Sequence, residues 1–352
     1  MHKLTDAQSE ITKAYGEQAG GRGFRFPAFT RLPTGILTLD VSLAGGIPMG
    51  AVSIFYGNES SGKTSLALRC AAQFQKRYPA KKVVWLDVEN TWDEAWVKLH
   101  GVNPDDVYLF RPTTAEEAAD IGDEVSMSED AGLIVVDSLA ALASIDQLEK
   151  TAEQTVIAGS AKPSTTLLRK IGAGIVEHSK AKSLLTVIYI NQTRNKIGFV
   201  MGNPEILPGP SYQNYQAFLK LRLSAKPILK EKLAAVPIYA ENSMRVVKKK
   251  FPCIRTAAEW QTILYPYEGH KPLDVNNHVH AENILTELDY LVKDGKKWVL
   301  YPDGEVFDTK KAAVESALKD YDAFVNFLVD DLLLLYKDDI QAQMAGEPVK
   351  KK

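Results

Sequence analysis

Residues 56–66 read YGNESSGKTSL and directly follow the apolar run AVSIF at 51–55. The order is strand, then glycine, four residues, glycine, lysine, threonine, then a helical stretch. Gly57 and Gly62 allow a backbone turn whose N–H groups point inward around a phosphate, and the following helix adds its positive N-terminal end. Lys63 has the reach for β- and γ-phosphates, and Thr64 can put its hydroxyl on Mg²⁺. The spacing therefore predicts a phosphate-binding loop on an α/β sheet.

Working outward, apolar strands alternate with helical stretches. AVSIFY, KVVWLDVE, DVYLF, GLIVVDS and SLLTVIYINQ read as strands, several apolar on both faces as buried parallel strands are. TSLALRCAAQFQKRY is a helix stopped by Pro79. Further helices are expected near 115–128 and 164–180. This alternation predicts an α/β fold with a mostly parallel central sheet. After residue 215, AFLKLRL, MRVVKKK and EWQTILY come without long helices between them and predict antiparallel strands extending the sheet. From about residue 270, HAENILTELDYLVKD and AFVNFLVDDLLLLYKDD read as helices, and KWVLYPDGEVF as a hairpin, together a small C-terminal α/β domain. Residues 4–15 place Leu4, Ala7, Ile11, Ala14 and Tyr15 on one helical face. The glycine-rich GEQAGGRGFRFP that follows reads as a tether, which suits a short N-terminal helix docking either on a neighbouring subunit or on its own domain. The expected divisions are an N-terminal helix and linker over 1–30, a phosphate-binding α/β core over 31–268, a C-terminal domain over 269–345 and a disordered tail over 346–352.

The bulk properties set limits. The chain has 352 residues, 45% hydrophobic and 24% charged, with a formal net charge of −2. No basic field covers the whole molecule, so nucleic acid would have to be met by local patches. Cys70 and Cys253 match no metal spacing and are expected as buried free thiols in a reducing compartment. The polar N-terminus lacks a signal-peptide core, and no apolar run approaches the ~20 residues of a membrane span. A soluble, cytoplasmic protein is expected.

Three further positions bear on chemistry. LIVVDS ends a strand with Asp137, placed to hold Mg²⁺ through water. Hydrolysis needs a group to orient and deprotonate water. Asp87 and Glu89 share one face of the KVVWLDVE strand by alternation, and Glu89 lies nearer the C-terminal end, where ligands of open α/β sheets bind. INQTRNKIGF ends a strand with Gln192, whose amide could bond a γ-phosphate and reorder the next loop when that bond is lost.

These elements, in this order, resemble the RecA family of homologous-recombination ATPases, most strongly its bacterial and phage branch. The resemblance covers roughly residues 30–265. It rests on LPTGILTLD, GGIPMGAVSIFYGNESSGKTS, LDVENTWD, LIVVDSLAAL, RVVKKKF, WQTILY and, most discriminating, INQTRNKIG…GNPE. It implies ATP bound with Mg²⁺ by Gly57, Asn58, Glu59, Ser60, Ser61, Gly62, Lys63, Thr64 and Ser65, with Asp137 completing the metal site. Glu89 becomes the catalytic base and Gln192 the γ-phosphate sensor. Asp93 and Trp96 fall where the family contacts adenine, Trp96 standing at a position that is usually tyrosine. Lys248 and Lys250 match a lysine pair that reaches the neighbour's γ-phosphate, although KKK at a strand end reads on its own as a solvated charge run.

For DNA, the loop TRNKIGFVMGNPEILPGPSYQ offers Arg194 and Lys196 to phosphates and the apolar tip Phe199, Val200 and Met201 as a wedge among bases. An earlier loop at about 148–165 departs from the family by lacking its Met-Gly pair. Lys162, Arg169 and Lys170 are the phosphate contacts there. The resemblance implies a DNA-dependent ATPase that forms helical filaments on single-stranded DNA, pairs it with duplex DNA and works alongside single-strand-binding and loader proteins. Two alternatives share the core: a ring-forming helicase or motor, and an ATP-binding filament or mediator protein without useful turnover. The short length and divergent first loop favour a phage source, with the host cytoplasm as its location.

Overall fold

A computed structural model describes residues 3–15, 30–142, 161–195, 205–228, 237–265 and 270–335. Its centre is an eight-stranded sheet. In chain order the strands are β1 (Val52–Gly57), β2 (Lys82–Asp87), β3 (Val107–Phe110), β4 (Ala131–Asp137), β5 (Thr186–Gln192), β6 (Leu219–Ile228), β7 (Tyr239–Lys249) and β8 (Ala257–Ile263). Across the sheet they lie in the order β8-β7-β6-β1-β5-β4-β2-β3. The six from β6 to β3 are parallel, and β7 and β8 are antiparallel additions.

Two cores cover the two faces, and the period-2 alternation of strands assigns each side chain. Phe55, Trp85, Val135, Ile188 and Ile190 pack against Leu66, Cys70 and Phe74 of the Lys63–Arg77 helix. Ile54, Val84, Leu86, Ile134, Val136, Val187 and Tyr189 pack on the other side against helices Ala115–Met127 and Ala161–Lys180. All seven residues of β4 are buried, so Asp137 is held at the end of a fully enclosed strand.

The expected α/β class and the alternation of elements are present. Of the three strands after residue 215, each neighbouring pair is antiparallel as expected, but the first of them, β6, joins the sheet parallel to β1. The short helix Tyr212–Gln216 precedes it and lets the chain enter in that direction. The long C-terminal helix expected over HAENILTELDYLVKD is a correction. The helix Asn277–Glu287 stops, Asp289 takes a positive φ of 57°, and Leu291–Asp294 becomes a strand. Asp294 pairs with Lys297, so Gly295 and Lys296 form a two-residue hairpin loop, with Gly295 at φ 59° in its first position. The expected hairpin then pairs Lys297–Leu300 with Glu305–Phe307. These strands, with helices Lys310–Leu318 and Tyr321–Leu335, bury a third core that also takes in Leu37, Val41 and Ile254. Asp40, buried, ties that join: it accepts from Thr34 N at 2.7 Å, Gly35 N at 3.0 Å and Tyr321 Oη at 2.7 Å.

The helix Leu4–Tyr15 forms as expected, with Leu4 and Ile11 exposed. The tether and the C-terminal tail lie outside the described residues. Cys70 and Cys253 are buried and free, and burial raises both thiol pKa values, Cys253 to about 11. Among the described residues, no helix is long and apolar enough to cross a membrane.

The helices Ala115–Met127 and Ala161–Lys180 touch through glycine. A Cβ on Gly174 would stand 2.5 Å from both Ser126 Cβ and Ser126 O. Gly174→Ala gains ~1 kcal/mol of helix propensity and forces the helices apart at a cost of about 1–3 kcal/mol. The net cost of up to about 2 kcal/mol should lower the melting temperature by roughly 1–3 °C against wild type by calorimetry. An unchanged or raised Tm would show that the crossing yields freely.

Candidate functional site

The C-terminal edges of β1, β4 and β5 meet at the phosphate loop. Gly57 closes β1 beside β6, where a Cβ would stand 2.3 Å from Leu223 O, so no larger residue fits. Gly62 starts the next helix at φ 83°, a conformation that glycine adopts freely. Ser60 also takes a positive φ, 57°. Lys63 is buried, and its Nζ donates to Asn58 O at 2.7 Å and to Ser61 Oγ at 3.5 Å. Burial lowers its pKa, while Asp137, Glu89 and Glu59 push it back up. Thr64 Oγ1 donates to Asp137 Oδ2 at 2.9 Å. A cavity of about 540 Å³ opens here, and Glu59 to Ser65, Glu89, Trp96, Asp137 and Gln192 line it.

Asp137 is 2% exposed. Burial raises its carboxyl from 3.8 to about 7, with Glu89 and Asp87 adding to the rise and Thr64 and Lys63 opposing it. A buried carboxylate facing a buried ammonium and a hydroxyl, below a loop of backbone N–H groups, is a donor set that fits a magnesium–triphosphate group.

The strand-alternation argument for Glu89 needs correcting. β2 ends at Asp87, and Glu89 sits in the turn beyond it, exposed. The two acids separate by environment. Asp87 is buried, accepts from Thr91 N at 3.0 Å and Trp92 N at 3.1 Å, and pairs with Arg111 at 3.3 Å. It is committed to holding the turn. Glu89 faces the cavity and accepts from Ser138 Oγ at 2.5 Å.

Elsewhere in the cavity lining, Trp96 is 42% exposed and stands edge-on to His100, centroids 5.0 Å apart. Asp93 is exposed and does not line the cavity; its side chain caps the Glu94–Leu99 helix by accepting from Trp96 N at 2.7 Å. Sequence reasoning passed over His100, Arg69, Asn242 and Trp260, which also line the cavity. His100 donates Nδ1–H to Trp96 O at 2.9 Å, and burial lowers its pKa to about 4. Nothing short-range in the sequence marks these four; they arrive from β7, β8 and helix faces.

Gln192 lines the cavity, and its neighbours tie the next segment down. Thr193 N donates to Gly57 O at 3.1 Å, and Thr193 Oγ1 donates to Asn58 Oδ1 at 2.6 Å. Buried Asn191 donates to Pro208 O at 2.8 Å and to Gln213 Oε1 at 2.9 Å. Arg194 is exposed at the start of a short antiparallel pairing with Glu205–Ile206. Lys196, Phe199 and Met201, and most of the 148–165 loop, lie outside the described residues.

Lys162 and Arg169 are exposed on one helix, Arg169 over the Tyr212 ring. Lys170 differs from the sequence expectation: it pairs with Asp120 at 3.1 Å and Asp123 at 3.2 Å, so those carboxylates compete with any phosphate. Lys248 and Lys250 are not brought into the cavity. They lie near the sheet's opposite edge, where Lys248 pairs in register with Lys220 and Lys220 with Ile54. Lys248 Nζ donates to Asn214 O, and Lys250 Nζ donates to Tyr215 O at 3.3 Å.

The Asp137 environment gives a pH signature. Its folded pKa of about 7 lies above 3.8, so the folded state holds a proton that the unfolded chain releases. That stability is full below pH ~4 and is lost as pH rises through 7. Asp137→Asn should remove the loss. With a chelator present it should melt higher than wild type at pH 8, and the difference should shrink towards pH 5. Equal melting at both values would mean that water or a counter-charge relieves the carboxylate.

The RecA N-terminal domain family matches residues 2–268. Protein RecA of Mesomycoplasma hyopneumoniae (strain 7448) is 30% identical over 341 residues, 96% of each chain. Protein RecA of Oceanobacillus iheyensis is 36% identical over 276 residues, covering 78% of this chain and 75% of that one. For Protein RecA of Gloeobacter violaceus the figures are 36% over 228 residues, 63% of this chain and 59% of that one. By sequence and by fold, the chain belongs to the RecA family.

Proposed function

We propose that this chain is an ATP-dependent recombinase that assembles as a helical filament on single-stranded DNA and exchanges strands with homologous duplex DNA. At family level the activity is that of a RecA-type recombinase and DNA-dependent ATPase; filament assembly, strand exchange and the residue roles are the proposal. The observation that carries it is one cavity edge bearing Lys63, Thr64, Asp137, Glu89 and Gln192 together.

In this mechanism the loop from Gly57 to Ser65 binds the triphosphate of ATP, and Lys63 neutralises its charge. Thr64 and Asp137 would hold Mg²⁺, which supplies further charge neutralisation when bound. Glu89 orients water and accepts its proton as oxygen bonds to the γ-phosphorus and ADP departs. Trp96 takes the base by stacking. Gln192 bonds the γ-phosphate, and Thr193, tied to Asn58, carries the phosphate loop's position into the segment bearing Arg194, Lys196, Phe199 and Met201. Lys162 and Arg169 add phosphate contacts. Lys248 and Lys250, directed away from their own cavity, serve a neighbouring subunit, so ATP joins protomers and favours the DNA-bound filament. The exposed Leu4 and Ile11 face of the N-terminal helix docks on that neighbour. Base pairing supplies the sequence specificity, and single-strand-binding and loader proteins are the accessory partners.

Electron microscopy with single-stranded DNA and an ATP analogue should show filaments, and a circular strand with a linear duplex should yield exchanged products. Rings, or DNA binding that ignores the nucleotide, would overturn the reading. Lys63→Ala should abolish nucleotide binding or turnover. Glu89→Gln should bind ATP and DNA while hydrolysis falls by about 10²-fold or more, leaving long-lived filaments. Lys248→Ala should keep ATP binding in the isolated subunit and lose most DNA-stimulated hydrolysis. Retained hydrolysis in Lys248→Ala would remove the cross-subunit role.

A further inference from the structure

We propose that Ser138 is a positioning residue for hydrolysis, its hydroxyl fixing the carboxylate of Glu89; this rests on Glu89 being the base. Ser138 is completely buried, directly after Asp137. It precedes the Leu139–Ala141 turn, where a serine ordinarily caps the backbone with its side chain, yet its hydroxyl makes no cap bond. Its Oγ donates instead to Glu89 Oε1 at 2.5 Å. The turn is served by the Ser138 carbonyl, which accepts from Ala141 N at 3.2 Å. Backbone and hydroxyl therefore have separate duties, and only the hydroxyl reaches the site.

The need for such a bond follows from where Glu89 sits. It lies beyond the end of β2, exposed, in a turn rather than on a strand. A carboxylate on a free glutamate side chain samples many rotamers, few of which aim an oxygen at the attacking water. Two backbone bonds hold the main chain of the turn, Val88 N to Asp137 O at 2.8 Å and Glu89 N to Asp137 O at 3.3 Å. The Ser138 hydroxyl adds the missing side-chain restraint. It occupies Oε1 and leaves Oε2 to take the proton. Because Asp137 also accepts from Thr64 Oγ1, the last residue of β4 and the residue after it set both the proposed metal-binding carboxylate and the base. Their separation is then fixed by covalent geometry and a single hydrogen bond.

The test compares DNA-stimulated ATP hydrolysis by Ser138→Ala, Ser138→Cys, Glu89→Gln and the Ser138→Ala/Glu89→Gln double variant, with Tm measured for each. Ser138→Ala should lose roughly 10- to 100-fold in kcat, with KM for ATP within about twofold and Tm near wild type. The cysteine fills the same space but donates weakly, so Ser138→Cys should behave like Ser138→Ala. In the Glu89→Gln background, Ser138→Ala should lower the residual rate by no more than about twofold, since the base it positions is gone. The proposal is overturned by wild-type turnover in Ser138→Cys, by a loss confined to KM, by unchanged kcat in Ser138→Ala, or by an undiminished fold-loss in the double variant. Wild-type hydrolysis by Glu89→Gln alone would instead remove Glu89 as the base, a separate and recognisable failure.

Discussion

The site depends on a carboxylate that the fold holds where water cannot solvate it. Asp137 ends a strand buried along its whole length, facing Thr64 across 2.9 Å and sharing its pocket with the buried Lys63. Placing these charges in a low-dielectric edge is costly unless they are paired. Here the pairing is partial: Lys63 spends its protons on Asn58 and Ser61, and Asp137 keeps a raised pKa. A site left in this condition gains from a ligand that brings negative phosphate to the lysine and positive charge to the carboxylate. On the proposed reading, affinity for a magnesium–triphosphate would be stored in the protein as this incomplete compensation, and the parallel sheet supplies the stability that tolerates it.

The parts of this site that were legible in the sequence are those whose chemistry is local. Gly57 and Gly62 are needed by the loop's own backbone, and Lys63 and Thr64 follow within two residues, so spacing alone identifies them. Asp137 was readable because a wholly apolar run ends in an acid. Glu89 could be separated from Asp87 only by environment. Asp87 ends β2 and turns inward to two amide N–H groups and Arg111, whereas Glu89 stands in the turn beyond the strand and faces the cavity. Periodicity could not see that stop, because Val88 and Glu89 leave the sheet to bond Asp137 O. The same limit applies at the C-terminal module. The apolar spacing of LTELDYLV reads as one helix, whereas the chain turns at Asp289 and its second half pairs as a strand across the Gly295-Lys296 loop. His100, Arg69, Asn242 and Trp260 carry no local pattern, and only the crossing of β7, β8 and two helices gathers them.

Glycine close approaches explain why the elements meet so tightly around the loop. β1 and β6 come together at Gly57 and Leu223 with no room for a methyl group. The two helices on the far face cross at Gly174 and Ser126 in the same way. Such contacts leave little slack, so a displacement at the loop is passed to neighbouring segments rather than absorbed. Thr193 is bonded to Gly57 and Asn58, and Asn191 to Pro208 and Gln213, so both ends of the segment after Gln192 are fastened to β5 or its neighbours. A segment held at both ends responds to a shift at either one by changing the path between them.

The register of β7 makes the proposed mechanism a property of an assembly rather than of one chain. β7 runs antiparallel to β6, so its C-terminal residues, Lys248 and Lys249, fall opposite Lys220 and Leu219, where β6 begins. The phosphate loop leaves β1 at Gly57, level with Leu223, at the other end of the shared pairing. The Lys248 and Lys250 ammonium groups accordingly rest on the carbonyls of Asn214 and Tyr215, in the short helix that follows the Gln192 segment. If they engage a triphosphate at all, it is one held by another protomer, and they must release those carbonyls to do so. In the proposed mechanism one event would then read the neighbour's nucleotide and unload the helix whose Gln213, with Asn191, holds Pro208. In the proposed mechanism, coupling between hydrolysis and DNA affinity would rest on strand direction, because an antiparallel β7 puts the lysines beside that helix and a parallel one would have sent them to their own cavity.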